Sequence, residues 1–119
     1  MRYMLLIYQD ADFERSWADA SEADKAELYG KYGEFGALLQ ERNAFVAGDE
    51  LALSHTATTV RQDGDDFVVT DGPFAEVAEQ LGGYFVVEAR DLDEALEFAR
   101  ALPSEVVEVR PIQVQEAVA

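Results

Sequence analysis

Cysteine is absent from the chain, which excludes disulfides, thiolate nucleophiles and cysteine-held zinc or iron–sulfur centres together. Histidine occurs once, as His55, and no spaced ligand pattern surrounds it, so no metal site and no cofactor is expected. Basic residues are few: 9 Lys and Arg stand against 25 Asp and Glu, a formal charge of −16. A field of that sign repels phosphate backbones and anionic headgroups, which argues against nucleic-acid and membrane-surface partners. No apolar run approaches the ~20 residues that a membrane helix needs. Residues 1–8 are too short for the apolar core of a signal peptide, and Gln9-Asp10 follows in place of a small-residue cleavage site. A cytoplasmic protein is the expectation. Repeats, low-complexity tracts and linkers are also missing, and 119 residues suit one domain over residues 1–119.

What is present reads as alternating strands and helices. Residues 2–8 form a continuous apolar run whose length, tyrosines and Ile7 favour a strand. Residues 10–20 have mixed polarity without a clean period and read as an irregular loop. Ser21-Glu22-Ala23-Asp24 resembles a capping box, after which Leu28, Tyr32, Phe35 and Leu39 recur at helical spacing, with Leu38 widening the stripe. This first helix ends near Arg42-Asn43. Phe45-Val46-Ala47-Gly48 is a short and doubtful strand. Residues 56–61 and 67–70 form a hairpin around the Asp63-Gly64 turn signal, and Gly72-Pro73 ends it. Tyr84-Phe85-Val86-Val87-Glu88 is a further strand. A second helix starts at the N-cap Asp91, carries Leu92, Ala95, Leu96, Ala99 and Leu102 on its stripe, and stops at Pro103. Residues 106–110 form the last strand, which Pro111 confines to an edge.

With the Phe45 segment dropped or merged, the order is βαββαβ, the ferredoxin-like α+β plan: an antiparallel sheet, two helices on one face and an extra hairpin strand. In that plan Met4-Leu5-Leu6-Ile7 and Tyr84-Phe85-Val86-Val87 lie centrally. Neither alternates apolar with polar, as a strand with one wet face should. Each large apolar side chain left wet would forgo about 1.5–3 kcal/mol, and two helices cannot cover both faces. A second copy docked on the open sheet face is therefore expected, giving a homodimer.

Asp71-Gly72-Pro73-Phe74-Ala75-Glu76, followed by Glu79-Gln80-Leu81-Gly82-Gly83-Tyr84, closely resembles the YCII-related family, and more narrowly its branch named for the Asp-Gly-Pro-Phe motif. Residues 3–8, 56–61 and 107–111 are similar to that family as well. The resemblance implies a ferredoxin-like domain that dimerises into an α/β-barrel-like assembly. It supplies no established reaction. Some relatives are similar to lyases or isomerases acting on ring compounds, and others are encoded beside extracytoplasmic-function sigma factors, which implies either small-molecule chemistry or a non-enzymatic regulatory role. The chain departs from the pattern at Val77-Ala78, where relatives carry polar residues. His55 does not fall clearly where relatives place the histidine of a His–Asp pair.

The candidate site residues each carry two readings. Asp71 either caps its own turn or stands at the mouth of a pocket between the sheet and the first helix as acid, base or polar anchor. Glu79 either is solvated or pairs with Asp71 as a second carboxylate. His55 is a surface side chain or a base oriented by Asp49 or Glu50. Tyr8, Phe74, Gly82 and Gly83 are the expected ligand-binding residues around an apolar pocket. Tyr8 alternatively serves the core, and the glycines alternatively permit close strand packing. Trp17 lids the pocket or staples its loop. Gly30, Gly33 and Gly36 make either a close contact of the first helix with the sheet or a partner, or a floor where a ligand meets bare backbone.

Overall fold

Two apolar strands, Arg2–Asp10 and Glu79–Glu88, pair at the centre of a four-stranded antiparallel sheet, with Phe45–Glu50 at the edge beside the second and Val106–Pro111 at the edge beside the first. The computed structural model describes residues 1–115. In chain order the elements are β1 (Arg2–Asp10), α1 (Ala11–Ala18), α2 (Glu22–Glu41), β2 (Phe45–Glu50), a 3₁₀ turn (Ser54–Thr56), β3 (Thr58–Asp63), β4 (Asp66–Asp71), β5 (Glu79–Glu88), α3 (Leu92–Ala101) and β6 (Val106–Pro111). This is the ferredoxin-like α+β plan. The Phe45 segment, doubtful on sequence, is one of its four sheet strands. The β3–β4 hairpin is the addition, a separate two-stranded sheet inserted between β2 and β5. The weak strand signal of β2 has a physical cause, since it lies at the sheet edge and holds Gly48 where Phe85 needs room.

The segment expected to be an irregular loop is the helix α1. Asp10 caps it by accepting the Phe13 N–H at 2.8 Å, and Asp12 and Glu14 place negative charge in its first turn, as the helix dipole favours. Helix α2 begins where expected, the Ser21 hydroxyl accepting the Asp24 N–H at 3.1 Å. It ends with Asn43 in the left-handed region at φ 53° and the Ala44 N–H donating back to the Leu39 carbonyl at 2.7 Å, a Schellman-type stop.

Strand periodicity sends Tyr3, Leu5 and Ile7 to one face. There they join Val87, Phe35 and Leu39 of α2, and Ala95, Phe98 and Leu102 at α3, in one buried cluster. On α3 the inward stripe runs through Ala95, Phe98 and Leu102, whereas Leu92 is 50% exposed and does not belong to it. Arg42 clamps the two helices: its guanidinium lies 2.6 Å from Glu97 and 3.4 Å from Glu94, with the Phe98 ring 5.8 Å beneath.

On the opposite face β1 and β5 present Met4, Leu6, Tyr8, Tyr84 and Val86, flanked by Glu108 and Arg110 of β6. The buried cluster does not extend to that side. The hairpin turns through Gly64 at φ 62°, and its apolar side chains are bare, with Val60, Phe67 and Val69 each 60–66% exposed. The radius of gyration, 16.8 Å, exceeds the roughly 13–14 Å of a compact chain of this length, and the projecting hairpin accounts for the difference in kind.

Candidate functional site

Between the helix-bearing face of the sheet and the helices α1 and α2 lies a cleft of about 210 Å³. Its floor is backbone. Gly48 of β2 and the Gly82-Gly83 pair of β5 line it, and a register shift opposite Ile7/Tyr8 explains how consecutive glycines both reach one side. A bulge sets two residues against one and suspends the usual alternation. None of the three positions has room to spare: a Cβ on Gly48 would meet the Phe85 ring at 2.6 Å, and one on Gly83 would meet the Asp49 carbonyl at 3.0 Å.

The walls are aromatic. Phe13 and Trp17 of α1 stack at 6.0 Å, Trp17 meets Tyr29 of α2 edge-on at 5.5 Å, and Tyr32 of α2 stacks on Phe85 at 6.5 Å. Leu28, Leu51 and Leu53 complete the apolar lining. Helix α1 forms the roof and is hydrogen-bonded to the 3₁₀ turn. The Glu14 carboxylate accepts the Ser54 N–H at 2.7 Å and the Ser54 hydroxyl at 2.6 Å.

The polar chemistry of the cleft belongs to Glu50, Tyr29 and Gln9. The Tyr29 hydroxyl donates to the Glu50 carboxylate at 2.9 Å. That hydrogen bond, followed by burial, raises the Tyr29 phenol above its ordinary value, while burial and then the Glu50 charge raise Tyr32. Both phenols therefore stay protonated at neutral pH. Asp49 lines the cleft through its backbone, for its carboxylate accepts the Tyr84 hydroxyl at 2.8 Å and Tyr84 is its cross-strand partner on the open face. No Lys, Arg or His lines the cleft among the described residues.

Of the residues singled out on sequence, Gly82 and Gly83 line this cleft. Tyr8 and Glu79 line a wider, shallower hollow beside it, which shares Ile7, Gln9, Phe13 and Tyr32 with the first; the Tyr8 hydroxyl donates to Glu108 at 3.2 Å. His55 stands exposed in the 3₁₀ turn beside a surface depression that Glu50 also borders. No hydrogen bond or ion pair links it to Asp49 or Glu50 among the described residues. Asp71 and Phe74 line none of these hollows. Asp71 is exposed at the end of β4, and the turn after it is held by the Gly72 N–H donating to the Ala57 carbonyl at 2.7 Å and the Thr59 hydroxyl donating to the Gly72 carbonyl at 2.8 Å. Gly72 itself sits at φ 104°, which the glycine alone makes cheap. Phe74 is 71% exposed and lies under the Arg61 guanidinium at 4.8 Å. At Gly30, Gly33 and Gly36 an added Cβ would meet nothing within 4 Å, so these glycines make no close contact with the sheet, and they line none of the hollows described here.

Trp17 does roof the cleft, the first of its two sequence readings. Tyr29, Gly48 and Phe85 are not legible as site residues in the sequence, and Glu50 only as an orienter of His55. A glycine in an edge strand opposite an aromatic was the signal for two of them.

The YCII-related domain model matches residues 1–114. The chain belongs to the YCII-related family. An uncharacterised protein of Rhizobium meliloti (strain 1021) is 36% identical over 106 residues, which cover 86% of this chain and 80% of that protein. In this YCII-related chain the family match spans the sheet, the helices and every residue of the cleft. No described helix is long and apolar enough to cross a membrane.

Proposed function

We propose that this YCII-related domain binds a small aromatic or apolar molecule in the cleft under α1. The observation that carries the reading is the gathering of five aromatic side chains, Phe13, Trp17, Tyr29, Tyr32 and Phe85, around a space of about 210 Å³. Apolar concavities with a few placed polar groups are where small ligands bind, and the missing side chains at Gly48, Gly82 and Gly83 make room for the Phe85 ring, Gln9 and the Asp49 carbonyl that border this one. Acid/base work on such a molecule falls to Glu50 and its Tyr29 partner, which face the cleft. Asp71, Glu79 and His55 lie away from it. Trp17 is the chain's single tryptophan, so its emission reports the cleft directly. Titrating a panel of single-ring aromatics, charged and uncharged, is expected to shift Trp17 emission saturably and to raise the melting temperature. A panel in which no compound does either would overturn the reading.

We also infer that two copies meet through the open sheet face. Met4, Leu6, Tyr84 and Val86 supply its apolar centre, and the adjacent Glu108 and Arg110 carry opposite charges, as suits a self-complementary two-fold contact. Sedimentation equilibrium is expected to give a dimer that Leu6→Asp converts to monomer. A folded wild-type monomer at micromolar concentration would end this inference and leave the cleft untouched, since the cleft lies on the other face.

A further inference from the structure

Resting on the reading that the cleft binds a small molecule, we propose that its ligand is an organic cation, a quaternary ammonium or protonated amine carried on an apolar body. Aromatic rings hold cations over their faces through the ring quadrupole, most strongly where water is excluded. The cleft gathers Phe13, Trp17, Tyr29, Tyr32 and Phe85 around one space. Of the two acidic residues that line it, Asp49 turns its carboxylate to the open face, and Glu50, solvent-exposed, is held by the Tyr29 hydroxyl at 2.9 Å. Among the described residues no cationic side chain lines the cleft to neutralise that charge. An anionic ligand would meet an unpaired carboxylate without any basic group to receive it, and the net charge of −16 would slow its approach. A neutral ring would fill the space and leave the Glu50 charge unused. The chain also shows the interaction from outside: Lys25, which does not line the cleft, rests its ammonium 5.9 Å from the Trp17 ring centre.

Three probes of one shape class separate the possibilities: phenyltrimethylammonium, its uncharged carbon analogue tert-butylbenzene, and benzoate. Affinities are read from Trp17 emission and calorimetry on the full chain, at low and high salt, for wild type and Glu50→Gln. The glutamine keeps an acceptor for Tyr29 and removes the charge. The cation is expected to bind wild type roughly tenfold or more tighter than its carbon analogue, with a preference that shrinks in high salt. Benzoate is expected not to bind. Glu50→Gln is expected to lower cation affinity toward that of the analogue while leaving the analogue unchanged. Equal or tighter binding of the analogue, or an equal loss for both probes in Glu50→Gln, overturns the cation proposal and leaves the small-molecule reading standing. Silence from all three probes overturns that reading itself.

Discussion

Gly48 faces Phe85 so closely that a methyl group on Gly48 would come within 2.6 Å of the ring. The ring cannot retreat, because it is also edge-on to the buried Phe35 at 4.9 Å. Gly48→Ala is therefore expected to push Phe85 into the cleft or to part β2 from β5, at a cost of about 1–3 kcal/mol as overpacking typically exacts. Gly82→Ala meets only the amide end of Gln9, a flexible group that swings aside. Urea unfolding of the two variants compares them, and a Gly48→Ala no weaker than Gly82→Ala would contradict the tight floor described above.

The hydrogen bonds between Glu14 and Ser54 hold the roof alongside the Trp17–Tyr29 contact. Helix α1 fully buries none of its residues, so these few contacts carry its attachment. Glu14→Ala is expected to expose Trp17, seen as red-shifted emission and stronger acrylamide quenching. The global unfolding free energy should change by less than roughly 1 kcal/mol, because no core contact is lost. Unchanged quenching would mean that the aromatic stack alone secures α1.

The glycines of α2 offer a gain. Each Gly in a helix interior costs about 1 kcal/mol relative to Ala, and at Gly30, Gly33 and Gly36 an added Cβ enters open space. Each Ala substitution is expected to add about 0.4–1 kcal/mol, raising the melting temperature stepwise when combined. A substitution that lowers it instead would reveal that something beyond this chain packs on that face.

Alkaline pH should weaken the fold. The phenols of Tyr8, Tyr29, Tyr32 and Tyr84 are all raised above the ordinary value of 10.0: Tyr8 and Tyr32 chiefly by burial, Tyr29 by its hydrogen bond to Glu50, and Tyr84 by that to Asp49. A group with a raised folded pKa binds its proton more tightly in the native state. Its contribution is complete below the unfolded value and disappears as pH climbs through the folded one. Denaturant midpoints should hold steady up to about pH 9 and fall beyond 10. Absorbance at 295 nm should show these phenols ionising later in the native chain than in urea. Coincident titrations in the two states would refute this.

Much of the architecture could be read from residues. The βαββαβ order placed the runs Met4-Leu5-Leu6-Ile7 and Tyr84-Phe85-Val86-Val87 on the central strands β1 and β5, and Ser21, Asp91 and Pro103 marked helix ends through capping and missing N–H chemistry. Strand β2 was harder, because Gly48-Asp49-Glu50 answers to Phe85, Tyr84 and Tyr29, none of which is near in sequence. Helix α1 was hidden by its brevity: Phe13 and Trp17 are its only large apolar residues, too few to show a period. On α3 the i+3 step from Ala95 to Phe98 was overlooked in favour of Leu92, which faces solvent. The cleft was legible only at Gly82-Gly83 and Trp17, since its walls converge from α1, α2, β2 and β5 and no local pattern encodes that meeting.

The separateness of the β3–β4 hairpin has a kinetic consequence. Its ladder rests on cross-strand pairs such as Val60 with Val69 and not on the buried cluster. In a lone chain its amide protons would exchange with solvent through small local openings, while those of β1 and β5 wait for the whole fold to come apart. The molecule would then hold two tiers of rigidity in a single chain: a slow sheet, and a quick appendage whose retarded exchange would announce whatever comes to rest against it.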